Sequence, residues 1–195
     1  MRAFEHVEVT ARAQWRAWLA EHHRQSDSIW LVTYKKHCGD RYLDYDSTVE
    51  EALCFGWIDS HVRRVDDDRK KLLFSPRRRG SIWSALNKRR VARLEADGLM
   101  TPPGRAVIAA AQADGSWTLY DDCEALIEPP DLQTALDGSI DARVAWNGFS
   151  PSSKKGILWW IKSAKRAPTR NRRIAETARL AALGLRANYP EARGK

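Results

Sequence analysis

The stretch from Glu50 to Arg93 limits the possible folds of this chain more than any other. Glu50-Glu51-Ala52-Leu53-Cys54-Phe55 is a largely apolar helical run, and Gly56 ends it. Trp57 to Val65 then alternates loosely, Asp66-Asp67-Asp68 forms a polar turn, and Lys70 to Ser75 reads as the returning strand. Pro76 has no N–H to donate and closes the pairing. A helix followed directly by a hairpin is therefore expected. Ser28 to Lys36 is rich in β-branched and aromatic residues and supplies a third strand.

Helices surround this sheet. Thr10 is the expected N-cap of a helix over 11–22, with Trp15, Trp18 and Leu19 on one face. Asp46 or Ser47 is expected to cap a helix over 48–55, with Glu50 or Glu51 as its capping-box partner. Ser81 is expected to cap a helix over 82–96, with Trp83, Leu86, Val91 and Leu94 inward. Thr101-Pro102-Pro103-Gly104 reads as a link. Beyond it the pattern is helical, with the Ile157, Leu158, Trp160, Ile161 and Ala164 stripe the broadest apolar face. The fold class expected is α+β: a small antiparallel sheet with helices in the N-terminal half, and a helical C-terminal lobe packed against it. The expected boundaries are 1–100 for the α+β lobe, 101–187 for the helical lobe and 188–195 for a frayed tail.

Composition narrows the partners. A formal charge of +8 and a pI near 9.6 favour an anionic small molecule or nucleic acid. No run approaches the roughly 20 apolar residues of a membrane span, and Met1 to Val9 shows no secretory leader pattern. Cys38, Cys54 and Cys123 are odd in number and far apart, so neither a disulfide framework nor a metal site is expected, and the compartment expected is a reducing cytoplasm. No cofactor is expected.

Arg77-Arg78-Arg79 precedes Gly80-Ser81 and an expected helix start. Guanidinium forks bind phosphate or carboxylate, and free N–H groups at a helix start favour the same charge. Trp83 could stack on a ligand, and Asn87 and Lys88 lie one turn further on. The plainer alternative is a solvated loop whose arginines pair with Asp66 to Asp68. Cys54 could act as a nucleophile beside His61 and Asp59, but its apolar neighbours read as core. A secondary basic face, Lys162, Lys165, Arg170, Arg172 and Arg173, could neutralise nucleic-acid phosphates, with a solvated helix face as the alternative.

The chain resembles the YdeI/OmpD-associated, bacteriocin-protection family. The resemblance is carried by Glu51-Ala52-Leu53-Cys54-Phe55-Gly56-Trp57-Ile58-Asp59, by Phe74-Ser75-Pro76-Arg77 with Ser81-Ile82-Trp83-Ser84-Ala85-Leu86-Asn87, and by Trp159-Trp160-Ile161 through Arg172-Arg173-Ile174. It departs at Ser60 and at Ala167-Pro168. The resemblance implies a bacterial stress or bacteriocin-tolerance role and brings no catalytic residue or cofactor with it. The expected function is thus non-catalytic binding of an anionic, phosphate-bearing ligand by Arg77, Arg78, Arg79, Ser81, Trp83, Asn87 and Lys88. Its rivals are nonspecific nucleic-acid binding, or a small phosphate-handling enzyme using Asp59, His61 or Cys54.

Overall fold

A computed structural model describes residues 4–190. The chain divides into two compact units, with the boundary after Leu119.

The first unit is α+β. Its strands are β1 (Glu5–Glu8), β2 (Ile29–Tyr34), β3 (Trp57–Arg64) and β4 (Arg69–Pro76), in the order β1-β2-β4-β3. The sheet is mixed, not wholly antiparallel as expected. Glu5 to Glu8 pairs parallel with Ile29 to Val32. Helix α1 (Arg12–His22) stands between these strands and carries the chain back to the end where it began, which a tight hairpin cannot do. β2 and β4 are antiparallel, as are β3 and β4 across the Asp66–Asp68 turn.

One sheet face buries Ile29, Leu31, Leu72 and Phe74 together with Trp15 and Leu19 of α1. Helix α2 (Tyr45–Cys54) adds Val49 and Leu53 to the same core. Two indoles are fixed by hydrogen bonds as well as by packing. Trp15 Nε1 donates to the Thr48 carbonyl at 3.0 Å, and Trp57 Nε1 to the His23 carbonyl at 3.1 Å. A buried indole N–H without such an acceptor would cost about 1–3 kcal/mol.

Three caps lie elsewhere than expected: Ala11, not Thr10, stands at the cap position of α1. Asp44, not Asp46 or Ser47, caps α2, its Oδ1 accepting from the Ser47 N–H at 2.8 Å. Glu50 and Glu51 face the neighbouring helices and take no part in a capping box. Ser84, not Ser81, caps α3 (Ala85–Ala96), so Ile82 and Trp83 stay extended and Trp83 is buried. Leu86 consequently faces water instead of the core. Thr101-Pro102-Pro103-Gly104 is not a link between lobes. The prolines occupy the first turn of α4 (Pro102–Ala113), where a missing N–H is harmless. The Thr101 N–H and hydroxyl both donate to the Cys54 carbonyl. A Cβ on Gly104 would lie 2.2 Å from that carbonyl oxygen, so only glycine lets α4 approach α2 this closely.

The second unit is helical: α5 (Asp121–Glu124), α6 (Pro130–Asp137), α7 (Ile140–Gly148), α8 (Pro151–Lys162) and α9 (Ala167–Ala181). Leu132, Leu136, Trp146, Ile157, Ile161, Ile174 and Leu180 form its core. Of the stripe expected on α8, Ile157, Leu158 and Ile161 are buried, Trp160 is half-buried, and Ala164 lies beyond the helix. Trp146 Nε1 donates to Glu128 at 2.6 Å, and Arg143 pairs with the same carboxylate at 2.7 Å. Tyr189 packs on this core; residues 191–195 of the expected tail lie outside the described residues.

Candidate functional site

Pro76 ends β4, and the chain enters the Arg77–Gly80 loop. The Arg77 N–H donates to the Gly56 carbonyl at 2.9 Å, which ties the loop to the end of α2. Gly80 holds φ +74°, a left-handed conformation that an L side chain would strain, and the loop reverses there. Ser81 follows, its N–H bonded to the Arg78 carbonyl at 3.1 Å. The loop then faces the α4 side, and the two enclose a cavity of about 60 Å³. Arg77, Arg78, Arg79, Gly80, Ser81 and Trp83 line one side, and Val107, Ala110, Ala111, Asp114 and Ser116 the other. That is room for about four waters, or for one phosphate- or carboxylate-sized group.

Arg77 is the centre of this site. Its guanidinium lies 3.6 Å from the centroid of the Trp83 ring, and Trp83 in turn packs against Trp117 with ring centroids 4.8 Å apart and the planes tilted by 48°. Nη1 donates to the Ile82 carbonyl at 3.2 Å, while Nε is buried and has no partner. Burial pushes the guanidinium down to about 10, with Asp59 acting in the opposite direction, so it is fully charged at neutral pH. Arg78 and Arg79 are exposed. Neither makes a salt bridge among the described residues. The pairing with Asp66 to Asp68 that a solvated loop would need is absent there: Asp66 binds Arg69 at 2.7 Å, Asp67 binds Arg64, and Asp68 binds His37 at 3.0 Å. One carboxylate does enter the site. Asp114 is held below the usual carboxylate range by hydrogen bonds from Ser116, then by the Gly80 N–H and the Arg79 charge.

Two expected site residues point elsewhere. Asn87 accepts from Arg90 Nη1 at 2.8 Å, and Arg90 also holds Asp46. Lys88 lies 5.5 Å from the Trp117 ring and lines a separate groove between α3 and α4 with Val91, Ile108 and Gln112. α3 starts at Ala85, three residues beyond the expected start, and Ser84 Oγ accepts from the Asn87 N–H at 3.2 Å.

Of the residues of the enzyme reading, Asp59 acts on the loop through its charge on Arg77. None of Cys54, Asp59 and His61 lines the cavity at the arginine loop. Cys54 is fully buried, and burial together with the Glu51 charge pushes its thiol up, away from a thiolate. Asp59 accepts from Tyr45 Oη at 2.6 Å; burial first, and then this bond, push the Tyr45 phenol up to about 12. His61 is exposed on β3.

The secondary basic face is largely committed within its own unit. Lys162 binds Asp122 at 2.7 Å, and Arg170 binds Asp131 at 2.8 Å. Arg173 donates to the Trp160 carbonyl and to Ser163 Oγ. Lys165 and Arg172 are exposed.

Glu50 and Glu51 are the charged residues whose role the sequence did not reveal. Glu51, 2% exposed, receives Arg12 Nε at 2.5 Å and Arg16 Nη1 at 2.6 Å; Glu50 receives Arg12 and Arg93. Arg16 also donates to the Leu99 carbonyl at 2.8 Å. This cluster bolts α1, α2 and α3 together. The signal was present as two adjacent acids in an otherwise apolar helix, a pattern that demands buried cations. Potential metal ligands also come together, His37, Cys38 and Asp68, within 4.8 Å of one another.

Comparison with known proteins fits this division. A family model described as Domain of unknown function (DUF8412) matches residues 7–107, more than half of the chain. A second, described as Bacteriocin-protection, YdeI or OmpD-Associated, matches residues 125–184. Residues 125–184 thus form a YdeI/OmpD-associated domain. The DUF8412 model covers more than half of the chain, so the chain belongs to the DUF8412 family. The motifs Glu51–Asp59 and Phe74–Asn87, which carried the resemblance in the N-terminal half, fall under the DUF8412 model, and Trp159 to Ile174 under the YdeI/OmpD-associated one. The arginine loop is thus part of the DUF8412 region, and the secondary basic face part of the YdeI/OmpD-associated domain. No curated protein and no solved structure matches the chain. No helix among the described residues is long and apolar enough to cross a membrane.

Proposed function

We propose that this protein binds an anionic, phosphate-bearing ligand without catalysis, through the Arg77–Gly80 loop, and that binding serves the protective role that the description of its YdeI/OmpD-associated domain names. The observation that carries this reading is the state of Arg77. Its charge is buried against Trp83 with Nε unpartnered, at the wall of a cavity that also takes in Arg78, Arg79 and Ser81. A buried donor on a charged group is costly to leave unmet, and an anion in the cavity would meet it. The loop supplies two further cations at the rim, and the Ser81 hydroxyl a neutral donor. The cavity suits the anionic head of a ligand, with the remainder outside.

Calorimetric titration with inorganic phosphate and with pyrophosphate tests this. Saturable binding is expected, and Arg77→Ala with Arg79→Ala should abolish it while circular dichroism and melting temperature stay near wild type. Equal affinity in the folded double variant would overturn the assignment.

A further inference from the structure

We propose that His37, Cys38 and Asp68 form a surface site for one zinc-class divalent cation. The three residues come from two places. His37 and Cys38 lie on the 3-10 stretch Lys36–Arg41, which leaves the end of β2, and Asp68 is the last residue of the β3–β4 turn. Backbone bonds fix the two segments side by side. The Lys35 N–H donates to the Asp68 carbonyl at 2.7 Å, and Cys38 N–H to the Lys35 carbonyl at 2.9 Å. Lys35 Nζ is bound to the Asp66 and Asp67 carbonyls, each at 2.8 Å, and so clamps the turn from the other side.

On this frame the ligand atoms lie where a metal would need them. His37 Nε2 is 3.0 Å from Asp68 Oδ1, Cys38 Sγ is 3.6 Å from the Asp68 carbonyl oxygen, and the three ligating atoms all fall within 4.8 Å of one another. Zinc bonds of about 2.0 Å to nitrogen or oxygen and about 2.3 Å to sulfur place tetrahedral ligand atoms roughly 3.3–3.7 Å apart. Small side-chain rotations therefore suffice. The donor set selects the metal. A thiolate and an imidazole favour zinc over magnesium or calcium, and a thiolate with a carboxylate balances a dication. The neighbouring acids do not compete for the aspartate's place, because Asp66 and Asp67 are engaged by Arg69 and Arg64. Three protein ligands leave a fourth position for water or an outside ligand.

The test uses untagged, reduced, metal-free protein. Zinc titration by calorimetry should show one equivalent bound. Cobalt should give the absorption of a tetrahedral site with a thiolate charge-transfer band. Cys38→Ser should remove that band, and His37→Ala and Asp68→Asn should each weaken zinc by about tenfold or more. Cys54 and Cys123 are buried and remain in every variant, so binding by stray thiols would survive Cys38→Ser. The His37 and Asp68 side chains are more than half exposed, which makes these variants compatible with folding. In wild-type protein, bound zinc should also protect Cys38 from alkylation, read by mass spectrometry. No saturable zinc binding, a cobalt spectrum without the sulfur band, or binding unchanged in Cys38→Ser and His37→Ala would overturn the site.

Discussion

The first unit holds two arginine clusters, one gathered from across the chain and one consecutive in it, and they differ in one physical respect. Around Glu50 and Glu51, Arg12, Arg16 and Arg93 each meet a carboxylate that is nearly out of water. In the Arg77–Gly80 loop the cations meet an indole face, a backbone carbonyl and a cavity wall, with Asp114 as the one acid lining that cavity. The first cluster is compensated and joins three helices. The second carries surplus positive charge and makes no structural joint beyond the Arg77 anchor. Counting basic residues cannot separate the two roles; asking where each charge is neutralised does. The same question explains the second unit, where Lys162 and Arg170 are spent on Asp122 and Asp131.

The largest effect that would break this contrast is on stability. Glu51→Ala should leave Arg12 and Arg16 facing a buried void and cost about 3 kcal/mol, at the lower end for a severed buried pair because both arginines still reach water. Urea unfolding measures it. A loss below about 1 kcal/mol would mean that the cluster is not a joint. Arg77→Met should do the reverse. Removing an under-compensated buried charge and keeping its bulk over Trp83 should hold stability within about 1 kcal/mol of wild type, since the lost cation–π and Ile82 contacts are offset by relief of desolvation. Phosphate affinity should fall about 10- to 100-fold, the worth of a charged hydrogen bond. A destabilised variant with intact phosphate binding would exchange the two roles.

Asp114→Asn sharpens the comparison from within the loop. The carboxylate occupies the site as a resident anion opposite Arg79. Neutralising it should tighten phosphate by about two- to fivefold, the scale of an exposed charge pair. Weaker binding in this variant would show that Asp114 positions the loop instead of opposing the ligand.

Much of this was legible in the sequence. The hairpin, the Ser28–Lys36 strand, the order of helices and the arginine loop were all readable, because period and turn chemistry are local signals. What was missed depended on pairs far apart in the chain. The parallel β1–β2 contact needs the α1 crossover. The α2 and α3 caps were ambiguous because several polar residues precede each helix, and burial of Trp83 decides for Ser84 over Ser81. Pro102-Pro103 reads equally as a link or a first turn until Gly104 is seen against Cys54. In the site, the loop residues Arg77 to Ser81 and Trp83 came together as read. Asn87 and Lys88 did not, because a helix start displaced by three residues turns each of them to a different neighbour.

The smallest effect lies at the edge of the compensated cluster and depends on pH. Burial alone would raise the Asp44 carboxyl, but hydrogen bonds from Ser47 and the charge of Arg12 hold it below the usual carboxylate range. A carboxyl depressed on folding contributes stability that is present above its unfolded value, about 3.9, and lost as pH falls through the folded one. Asn at this position keeps the cap acceptor and loses the titration. Asp44→Asn should therefore cost less than about 1 kcal/mol at pH 7, and its stability should converge on wild type as the solution is acidified. Asp44→Ala, which removes the cap as well, should stay about 1 kcal/mol below the Asn variant throughout. Urea midpoints across the acid range read all three. Parallel curves for wild type and Asn would mean that neither the Ser47 hydrogen bonds nor the Arg12 charge lowers the Asp44 carboxyl on folding, and the compensated cluster would end at Glu50 and Glu51.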